Sequence, residues 1–387
     1  MRQRRLLTVG HSYVVTLNRR LPHEMSLVGR GEWDVTVVAP KSMTGDLRPI
    51  HVAISPEEPC CVEAVNVYFA RRIHAMLYGR RTKSILSAHW DMVHIWEEPY
   101  IVAGFQLARW LPRGVPFTFW TMQNIAKQYP PPFPWLERAV VRRCTGWIAV
   151  GQTTAEMQLQ RGQGYESRPH RTLPLGVDTE AFRADPAARA AILRELNWSD
   201  SGPPVVGFLG RFVPAKGLET LLRALETLQT PWRALFIGTG PMEARLREWA
   251  KSREDRVRIL THVAHDAVPA YLNAMDLLAA PSQTTPHWRE QFGRMLIEAM
   301  ASGVPVLGSD SGEIPHVIAD AGRIVPEADR PAWTTALGEL LDNAHLRREL
   351  AERGQVRVRE LFAWPVVARK HLDFFDELLE SRPLNEE

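Results

Sequence analysis

Short apolar runs alternate with amphipathic stretches along the whole chain, and this alternation limits the possible folds more than any other feature of the sequence. Apolar runs bounded by turn formers are typical of strands that are buried on both faces. The stretches between them repeat apolar residues at helical spacing. Because parallel strands joined by helices produce this combination, we predict an α/β protein with doubly wound parallel sheets.

The pattern indicates two such sheets. It predicts a first series of strands at 6–10, 35–39, 92–95, 117–121 and 147–150, with helices that include 65–78 and 134–144. It predicts a second series at 205–209, 234–237, 257–260, 277–280, 304–308 and 323–325, with helices at 218–228, 242–251, 268–275 and 295–301. We expect an N-terminal domain at 1–175, a C-terminal domain at 176–365 and a final helix at 366–387.

Several classes of protein are not expected. No apolar run approaches the roughly 18 residues that span a bilayer. The apolar run near the N-terminus ends at His11, which is too early for a signal peptide, so we interpret it as a buried strand. The three cysteines of the chain show no metal-ligand spacing and fit a reducing compartment. We therefore expect a cytoplasmic protein.

The charge of the chain is distributed unevenly. Residues 1–170 carry a net charge of +8 and residues 171–387 a net charge of −5, within a total of +3. The excess in the first half could be an uneven solvated surface, or it could bind an anionic membrane or a phosphorylated acceptor. Nucleic acid is not expected as a partner, because no recognition motif accompanies the charge.

The segment 210–217 combines glycines and cations between a predicted strand and a predicted helix. Gly210 and Gly217 allow a tight turn, and Arg211 and Lys216 bring two positive charges to the carboxyl edge of the sheet. A helix N-terminus beside them offers free N–H groups, so the segment suits a diphosphate. It is not a Walker loop, since the order G-x-x-x-x-G-K-[ST] is absent. The alternative is a surface loop with two solvated cations.

Two glutamates eight residues apart form the second motif. Glu290 precedes a helix that Gly293 opens, and Glu298 lies within that helix, which predicts that the two carboxylates share a face about 12 Å apart. Carboxylates accept hydrogen bonds from hydroxyls, so the pair suits a ligand with hydroxyls at both ends and a diphosphate between them. A sugar nucleotide has this chemistry. The alternative is a pair of surface helix residues.

The motifs together resemble one family. The pattern E-x-F-G-x-x-x-x-E-A-M-A at 290–301, with the segments 302–306, 312–315 and 210–217 and Gly176-Val-Asp before Phe182, is similar to retaining glycosyltransferase family 4, also called glycosyl transferases group 1. The resemblance covers nearly the whole chain and is strong from 176 to about 325. It implies a GT-B fold, with two Rossmann-like domains that face each other across a cleft and a final helix that crosses back to the N-terminal domain.

The resemblance also implies the chemistry of the site. It implies transfer with retention of the anomeric configuration, no metal and no cofactor besides the nucleotide-diphosphate sugar substrate, and a leaving phosphate that helps to deprotonate the acceptor. Glu290 matches the residue that contacts the transferred sugar, and we expect it to be catalytic. The other positions expected to bind the donor are Arg211 and Lys216 for the diphosphate, Phe292, Gly293 and Arg294 through their backbone for sugar and phosphate, and Glu298 for ribose.

One position departs from the family pattern. Many members have a histidine as T-x-H after the strand at 117–121, where this chain has Gln123. Glutamine can bind a sugar hydroxyl, yet it cannot exchange a proton near neutral pH. On the acceptor side we also expect His11 and the pair Glu97-Glu98, although a lone histidine such as His11 is often only a structural hydrogen-bonding residue.

The sequence therefore predicts a hexosyltransferase that moves a sugar from a nucleotide-diphosphate donor to a glycan or lipid-linked acceptor, in cell-surface or exopolysaccharide synthesis. A weak peripheral contact with the inner membrane face is expected from the basic half. Two alternatives share the scaffold: a sugar-nucleotide epimerase and a non-catalytic sugar-nucleotide-binding protein. Release of nucleotide that requires an acceptor would separate a transferase from an epimerase, and the intact Glu290 argues against an inactive binder.

Overall fold

The structure is a computed structural model that describes residues 2–44 and 49–381. The chain divides into two compact units. Unit 1 combines Met1–Pro174 with the segment from Trp364 onward, and unit 2 is Leu175–Ala363. The part of the predicted final helix over 382–387 lies outside the described residues.

Unit 1 is built around a parallel sheet. Its strands are β1 (Arg4–Val9), β2 (Trp33–Pro40), β3 (Ser42–Thr44), β4 (Pro49–His51), β5 (Cys61–Val65), β6 (Val67–Tyr68), β7 (Leu77–Tyr78), β8 (Met92–Ile95), β9 (Phe117–Thr121), β10 (Gly146–Ala149) and β11 (His170–Thr172). Its helices up to residue 174 are α1 (Arg20–Val28), α2 (Arg80–Leu86), α3 (Val102–Trp110), α4 (Phe133–Arg143) and α5 (Gln152–Gln160).

The large sheet of unit 1 has the strand order β11-β10-β9-β8-β1-β2-β5 over the described residues, and each pairing is parallel. The chain runs from β1 to β2 on one side and later adds β8 on the other side, so the winding direction reverses between β1 and β8. In open parallel sheets, the carboxyl ends of the two strands at such a reversal border the crevice where ligands bind.

Unit 2 repeats this architecture. Its helices are α6 (Pro186–Glu195), α7 (Leu218–Thr227), α8 (Glu243–Ala250), α9 (Val268–Asn273), α10 (Arg294–Ala301), α11 (Ile314–Ile318), α12 (Arg330–Asp342) and α13 (Ala344–Arg357). Its strands are β12 (Val205–Leu209), β13 (Arg233–Ile237), β14 (Val257–Leu260), β15 (Leu277–Ala280), β16 (Val306–Ser309) and β17 (Gly322–Val325). They form one parallel sheet in the order β14-β13-β12-β15-β16-β17, so the reversal lies between β12 and β15. The prediction of doubly wound parallel sheets is confirmed.

The last helix, α14 (Trp364–Glu380), belongs to unit 1 and packs on α1. Pro365 lies in its first turn, where the missing N–H leaves no hydrogen bond unmade. Phe375 is fully buried and meets the ring of Trp33 edge to face, with 6.4 Å between ring centroids. The C-terminal segment therefore covers one face of the N-terminal sheet.

The prediction of a helix at 65–78 is wrong. The segment contains the end of β5, a short antiparallel hairpin of β6 and β7, and a 3-10 turn at Ile73–Ala75. Val65 and Val67 alternate with polar residues at a spacing of two, which favours a strand, and Phe69 turns the chain with a left-handed backbone (φ +59°). Unit 2 begins at Leu175, and its first helix, α6, packs on α9.

No helix among residues 2–44 and 49–381 combines the length and the apolar character needed to cross a bilayer.

Candidate active site

The polar site of unit 2 is centred on an ion pair between Lys216 and Glu290. The Lys216 Nζ lies 2.5 Å from Oε2 of Glu290, and Ser282 Oγ donates to the same oxygen at 2.8 Å. The two charged side chains are only 13% and 7% exposed. Lys216 ends the loop after β12, and Ser282 and Glu290 follow β15, so the pair lies at the reversal of the sheet.

A glycine brings these two loops together. Gly217 has a left-handed backbone (φ +71°), and a Cβ at this position would lie 1.7 Å from the carbonyl oxygen of Pro281. Only glycine allows this approach without moving one of the loops. The approach of the two loops at Gly217 allows the Lys216 ammonium to reach a carboxylate that is 74 residues later in the sequence.

Further contacts fix Glu290 in place. Its carbonyl oxygen accepts a hydrogen bond from the backbone N–H of Glu313 at 3.1 Å, so the segment 312–315 packs directly behind the carboxylate loop. Ser309 Oγ donates to the carbonyl of Ser282 at 2.6 Å. The ring of Trp288 lies 5.1 Å from Lys216 Nζ, within the range of a cation–π contact. The loop that carries Glu290 is therefore held from several sides.

Arg211 occupies the same loop as Lys216 and is exposed, whereas its neighbour Phe212 is fully buried. The buried phenyl ring anchors the loop in the core of unit 2. The exposed guanidinium remains at the surface of the loop, as the predicted diphosphate contact requires.

Helix α10 begins directly after the loop that contains Glu290. Gly293 precedes the helix in a left-handed conformation (φ +81°), and α10 starts at Arg294. The first N–H groups of the helix therefore follow the Glu290 loop and provide a partial positive charge. Glu290 itself lies in the loop before the helix, as the sequence predicts.

Glu298 is buried rather than exposed on the helix surface. Its side chain is 7% exposed, and its Oε1 lies 3.3 Å from Nε2 of His265. Burial lowers the pKa of Arg294, one turn earlier, although the Glu298 carboxylate opposes this effect. Phe292 is also buried and meets Phe362 edge to face, with 6.0 Å between the ring centroids. Its side chain therefore serves the core, and only its backbone can contact a ligand.

In unit 1, the predicted acceptor-side residues fall into two groups. His11 contacts Glu97, with 2.5 Å between Nδ1 and Oε2. Glu98 instead accepts hydrogen bonds from Thr121 Oγ1 at 2.6 Å and from the backbone N–H of Met122 at 2.7 Å. Burial raises the pKa of Glu98 to about 7, although these two hydrogen bonds favour its charged form.

Gln123 is buried and its side chain is engaged. Its Nε2 donates to the hydroxyl of Tyr129 at 2.7 Å, and its backbone carbonyl oxygen accepts from Gln158 Nε2 at 2.8 Å. Tyr129 in turn stacks on Tyr100, with 4.4 Å between ring centroids. The amide that stands at the family's histidine position therefore ties the loop after β9 to its neighbours.

Sequence reasoning missed three residues of the unit 2 site: Ser282, Trp288 and His265. Ser282 follows a predicted strand, and that position was a usable signal for a residue at the sheet edge. His265 and Trp288 had no such signal, because only the folded loops bring them to Glu298 and Lys216. Among the described residues, no group of three or more His, Cys, Asp or Glu side chains could hold a metal ion.

Comparison with known proteins agrees with this geometry. Residues 192–357 match the sequence model of the family described as Glycosyl transferases group 1. The matched region lies within unit 2 and contains each predicted donor-binding residue from Arg211 to Glu298. The match to the group 1 glycosyl transferases therefore covers most of unit 2.

Curated relatives agree with this match. The chain is 34% identical over 211 residues to a GDP-mannose-dependent alpha-(1-6)-phosphatidylinositol monomannoside mannosyltransferase of Mycobacterium tuberculosis. This match covers 52% of the chain and 54% of the relative. The chain thus spans about half the length of the curated relatives it matches.

Solved structures show the fold over nearly the full length. Sucrose-phosphate synthase from Thermosynechococcus elongatus superposes with a TM-score of 0.73 at 19% identity and covers 98% of this chain and 100% of its own. Anabaena HepE in complex with UDP and glucose superposes with a TM-score of 0.73 at 16% identity, over 97% of this chain and 100% of its own. The fold is therefore GT-B, with two Rossmann-like domains.

Proposed function

We propose that this protein transfers a sugar from a nucleotide-diphosphate sugar to a hydroxyl of a glycan or lipid-linked acceptor. The main support for this proposal is the contact between Lys216 and Glu290. At the point where a sugar joins a diphosphate, hydroxyls and anionic oxygens lie only a few bonds apart. A carboxylate and an ammonium in direct contact match the two kinds of group at that junction.

The other residues of unit 2 fit the rest of such a donor. Arg211 and the first N–H groups of α10 add positive charge beside the ion pair, which suits the remaining diphosphate oxygens. Glu298 is buried on α10 and contacts a histidine that is itself partly exposed, so a ribose hydroxyl can compete for the same carboxylate. These positions support the proposed order of sugar, diphosphate and ribose along the site.

The comparisons support a donor and acceptor class. The mycobacterial relative is named for GDP-mannose and a phosphatidylinositol mannoside, and the Anabaena structure contains UDP and glucose. We propose a hexose donor of this nucleotide-linked type and an acceptor in cell-surface polysaccharide synthesis. We further propose retention of the anomeric configuration and reaction at the cytoplasmic side of the membrane.

Transfer should proceed without a divalent ion, because Arg211, Lys216 and the N-terminus of α10 supply positive charge for the leaving diphosphate. Initial rates measured with and without EDTA test this expectation. We expect equal rates. Complete loss of transfer in EDTA, restored by Mg²⁺ or Mn²⁺, would contradict the metal-independent mechanism.

Substitution of the two glutamates should separate their roles. Glu290 is proposed to contact the sugar as positive charge develops on it, so Glu290→Gln should mainly lower kcat. Glu298 is proposed to hold ribose, which is remote from the reacting bond, so Glu298→Gln should mainly raise the KM of the donor. The loss in kcat/KM for Glu298→Gln should be about 1–3 kcal/mol. Steady-state kinetics on folded variants measure both effects.

Glu248→Gln is a matched control, because Glu248 is an exposed glutamate of unit 2 on a different helix, α8. It should leave both kinetic constants unchanged. Wild-type kcat in Glu290→Gln would show that the assignment of the sugar-binding carboxylate is wrong.

We also propose that unit 1 contacts an anionic membrane through its β6–β7 hairpin. Tyr68 and Phe69 are 55% and 66% exposed, and Arg71 and Arg72 follow them at the surface. Exposed aromatic rings beside arginines suit the interface of an anionic bilayer, where each cation contributes about 1 kcal/mol. Three further basic residues, Arg80, Arg81 and Lys83, lie on α2, and Arg81 pairs with Glu63.

Vesicle co-sedimentation tests this membrane contact. Binding should require anionic lipid and fall as salt rises, and the double variant R71Q/R72Q should lose roughly thirtyfold in partitioning. Phe69→Ser should weaken binding further, whereas Leu27→Ser, which removes an exposed apolar side chain from α1, should not. Binding that ignores both lipid charge and ionic strength would exclude this role.

A further inference from the structure

A tight turn just before Glu290 presents the ring of Trp288 to the polar site of unit 2. The backbone N–H of Thr285 donates to the carbonyl of Trp288 at 2.7 Å, and the N–H of Trp288 donates to the carbonyl of Thr285 at 3.3 Å. Pro286 and His287 form the corner between them. Proline suits the first corner position of a turn because its φ is already restricted. The sequence of this segment therefore specifies the turn locally.

Hydrogen bonds fix the turn relative to the rest of the site. Thr285 Oγ1 accepts from the N–H of Trp288 at 3.0 Å. Two residues earlier, the N–H of Gln283 donates to the carbonyl of Ala215 at 2.8 Å, which joins this loop to the loop that carries Lys216. A ring that is held in this way loses little conformational entropy when a ligand packs on it.

The face of the Trp288 ring is directed at the ion pair. Lys216 Nζ lies over this face, 5.1 Å from the ring centroid, and the same ammonium lies 2.5 Å from Oε2 of Glu290. Trp288 is half-buried, so part of its surface remains accessible to a ligand. The π-face of an aromatic ring carries partial negative charge and attracts cations and polarised C–H groups. The ring therefore borders the point where sugar and diphosphate are proposed to join.

A hexose has the chemistry that this arrangement recognises. Its hydroxyls lie mainly around the edge of the sugar ring, where Glu290 can accept hydrogen bonds from them. Its C–H groups form an apolar face that an aromatic ring can cover. As the bond to the diphosphate breaks, positive charge develops on the sugar, and the π-face favours that charge as it favours the Lys216 ammonium. A diphosphate alone has neither feature.

We propose that Trp288 is a further sugar-binding residue of the donor site, on which the transferred hexose stacks. The Lys216 ammonium covers the ring, and the anionic oxygens of a bound diphosphate would draw it toward themselves. The sugar then packs between the Trp288 ring and Glu290. This inference rests on the proposed function and concerns only residues of unit 2, and it leaves the acceptor proton to the leaving phosphate.

The alternative is that Trp288 only shields Lys216. In that case loss of the ring would act through the ammonium, and it would change the affinity for every diphosphate alike. A stacking role acts on the sugar and leaves the diphosphate contact unchanged. The two roles therefore differ in one quantity, the ratio of the Kd of a nucleotide sugar to the Kd of the matching nucleoside diphosphate.

Calorimetry measures this ratio with two matched pairs of probes, UDP with UDP-glucose and GDP with GDP-mannose. Trp288→Leu removes the aromatic face but keeps an apolar side chain, so it should raise the ratio about 5- to 30-fold for the pair that binds. Trp288→Phe keeps a smaller aromatic face and should stay within about threefold of the wild type. Trp135→Leu, which removes an exposed tryptophan from α4, should not change the ratio.

The outcomes separate this inference from the proposed function. An unchanged ratio in Trp288→Leu, including an equal loss of affinity for the nucleotide sugar and the diphosphate, would overturn the inference alone. Failure of all four probes to bind the wild-type protein would contradict the proposed function, and the inference with it.

Fluorine NMR of protein labelled with fluorotryptophan provides a second readout, which does not depend on the folding of Trp288→Leu. The Trp288 signal is assigned by its absence from Trp288→Phe. It should shift further with the nucleotide sugar than with the matching diphosphate, because sugar C–H groups then pack on the ring. Trp198, which is buried ahead of β12 at the amino edge of the sheet, should respond equally to both. Equal shifts of the Trp288 signal with both ligands would contradict stacking.

Discussion

Parallel pairing of the strands is the constraint on which the rest of this structure depends. A parallel sheet must cover both faces with helices, so its strands are mostly apolar and leave little room for polar chemistry within the sheet. The polar residues of the two sites described above lie in the loops at the strand ends. Where the winding reverses, two adjacent loops leave in opposite directions and cannot fill the space between them. In both units the buried charged pairs described above lie at this place.

Burial then determines which residues can occupy the point where the winding reverses. A buried carboxylate is costly unless a cation or several donors compensate for it. Glu290 is stabilised by Lys216 and Ser282, and Glu97 by His11 and Tyr78. In each case the basic partner comes from a loop that is distant in the sequence, 74 residues away for Lys216 and 86 for His11. Formation of the site and formation of the fold are therefore the same event, and glycines such as Gly217 are required because they let these loops touch.

The strands and the donor-side motif could be predicted because they are local. A short apolar run between turn formers predicts a strand wherever it occurs, and the predicted bounds of 92–95 and 117–121 agree with β8 and β9. The segment 65–78 was ambiguous, because its apolar residues fit a spacing of two as well as helical spacing. Its tertiary contacts favour the hairpin over the helix. The contact of His11 with Glu97, 86 residues apart, could not be predicted, since strand order decides which loops are neighbours.

Calorimetric titration of nucleoside diphosphates into the protein tests the diphosphate site directly, because it requires neither the acceptor nor the sugar. We expect that at least one nucleoside diphosphate binds to the wild type and that Lys216→Met weakens this binding by roughly 10- to 100-fold, as loss of a charged hydrogen bond requires. Lys251→Met, which removes an exposed lysine of the same unit, should bind like the wild type. Absence of binding by any nucleoside diphosphate, or equal affinity in Lys216→Met, would contradict a diphosphate site at the edge of this sheet.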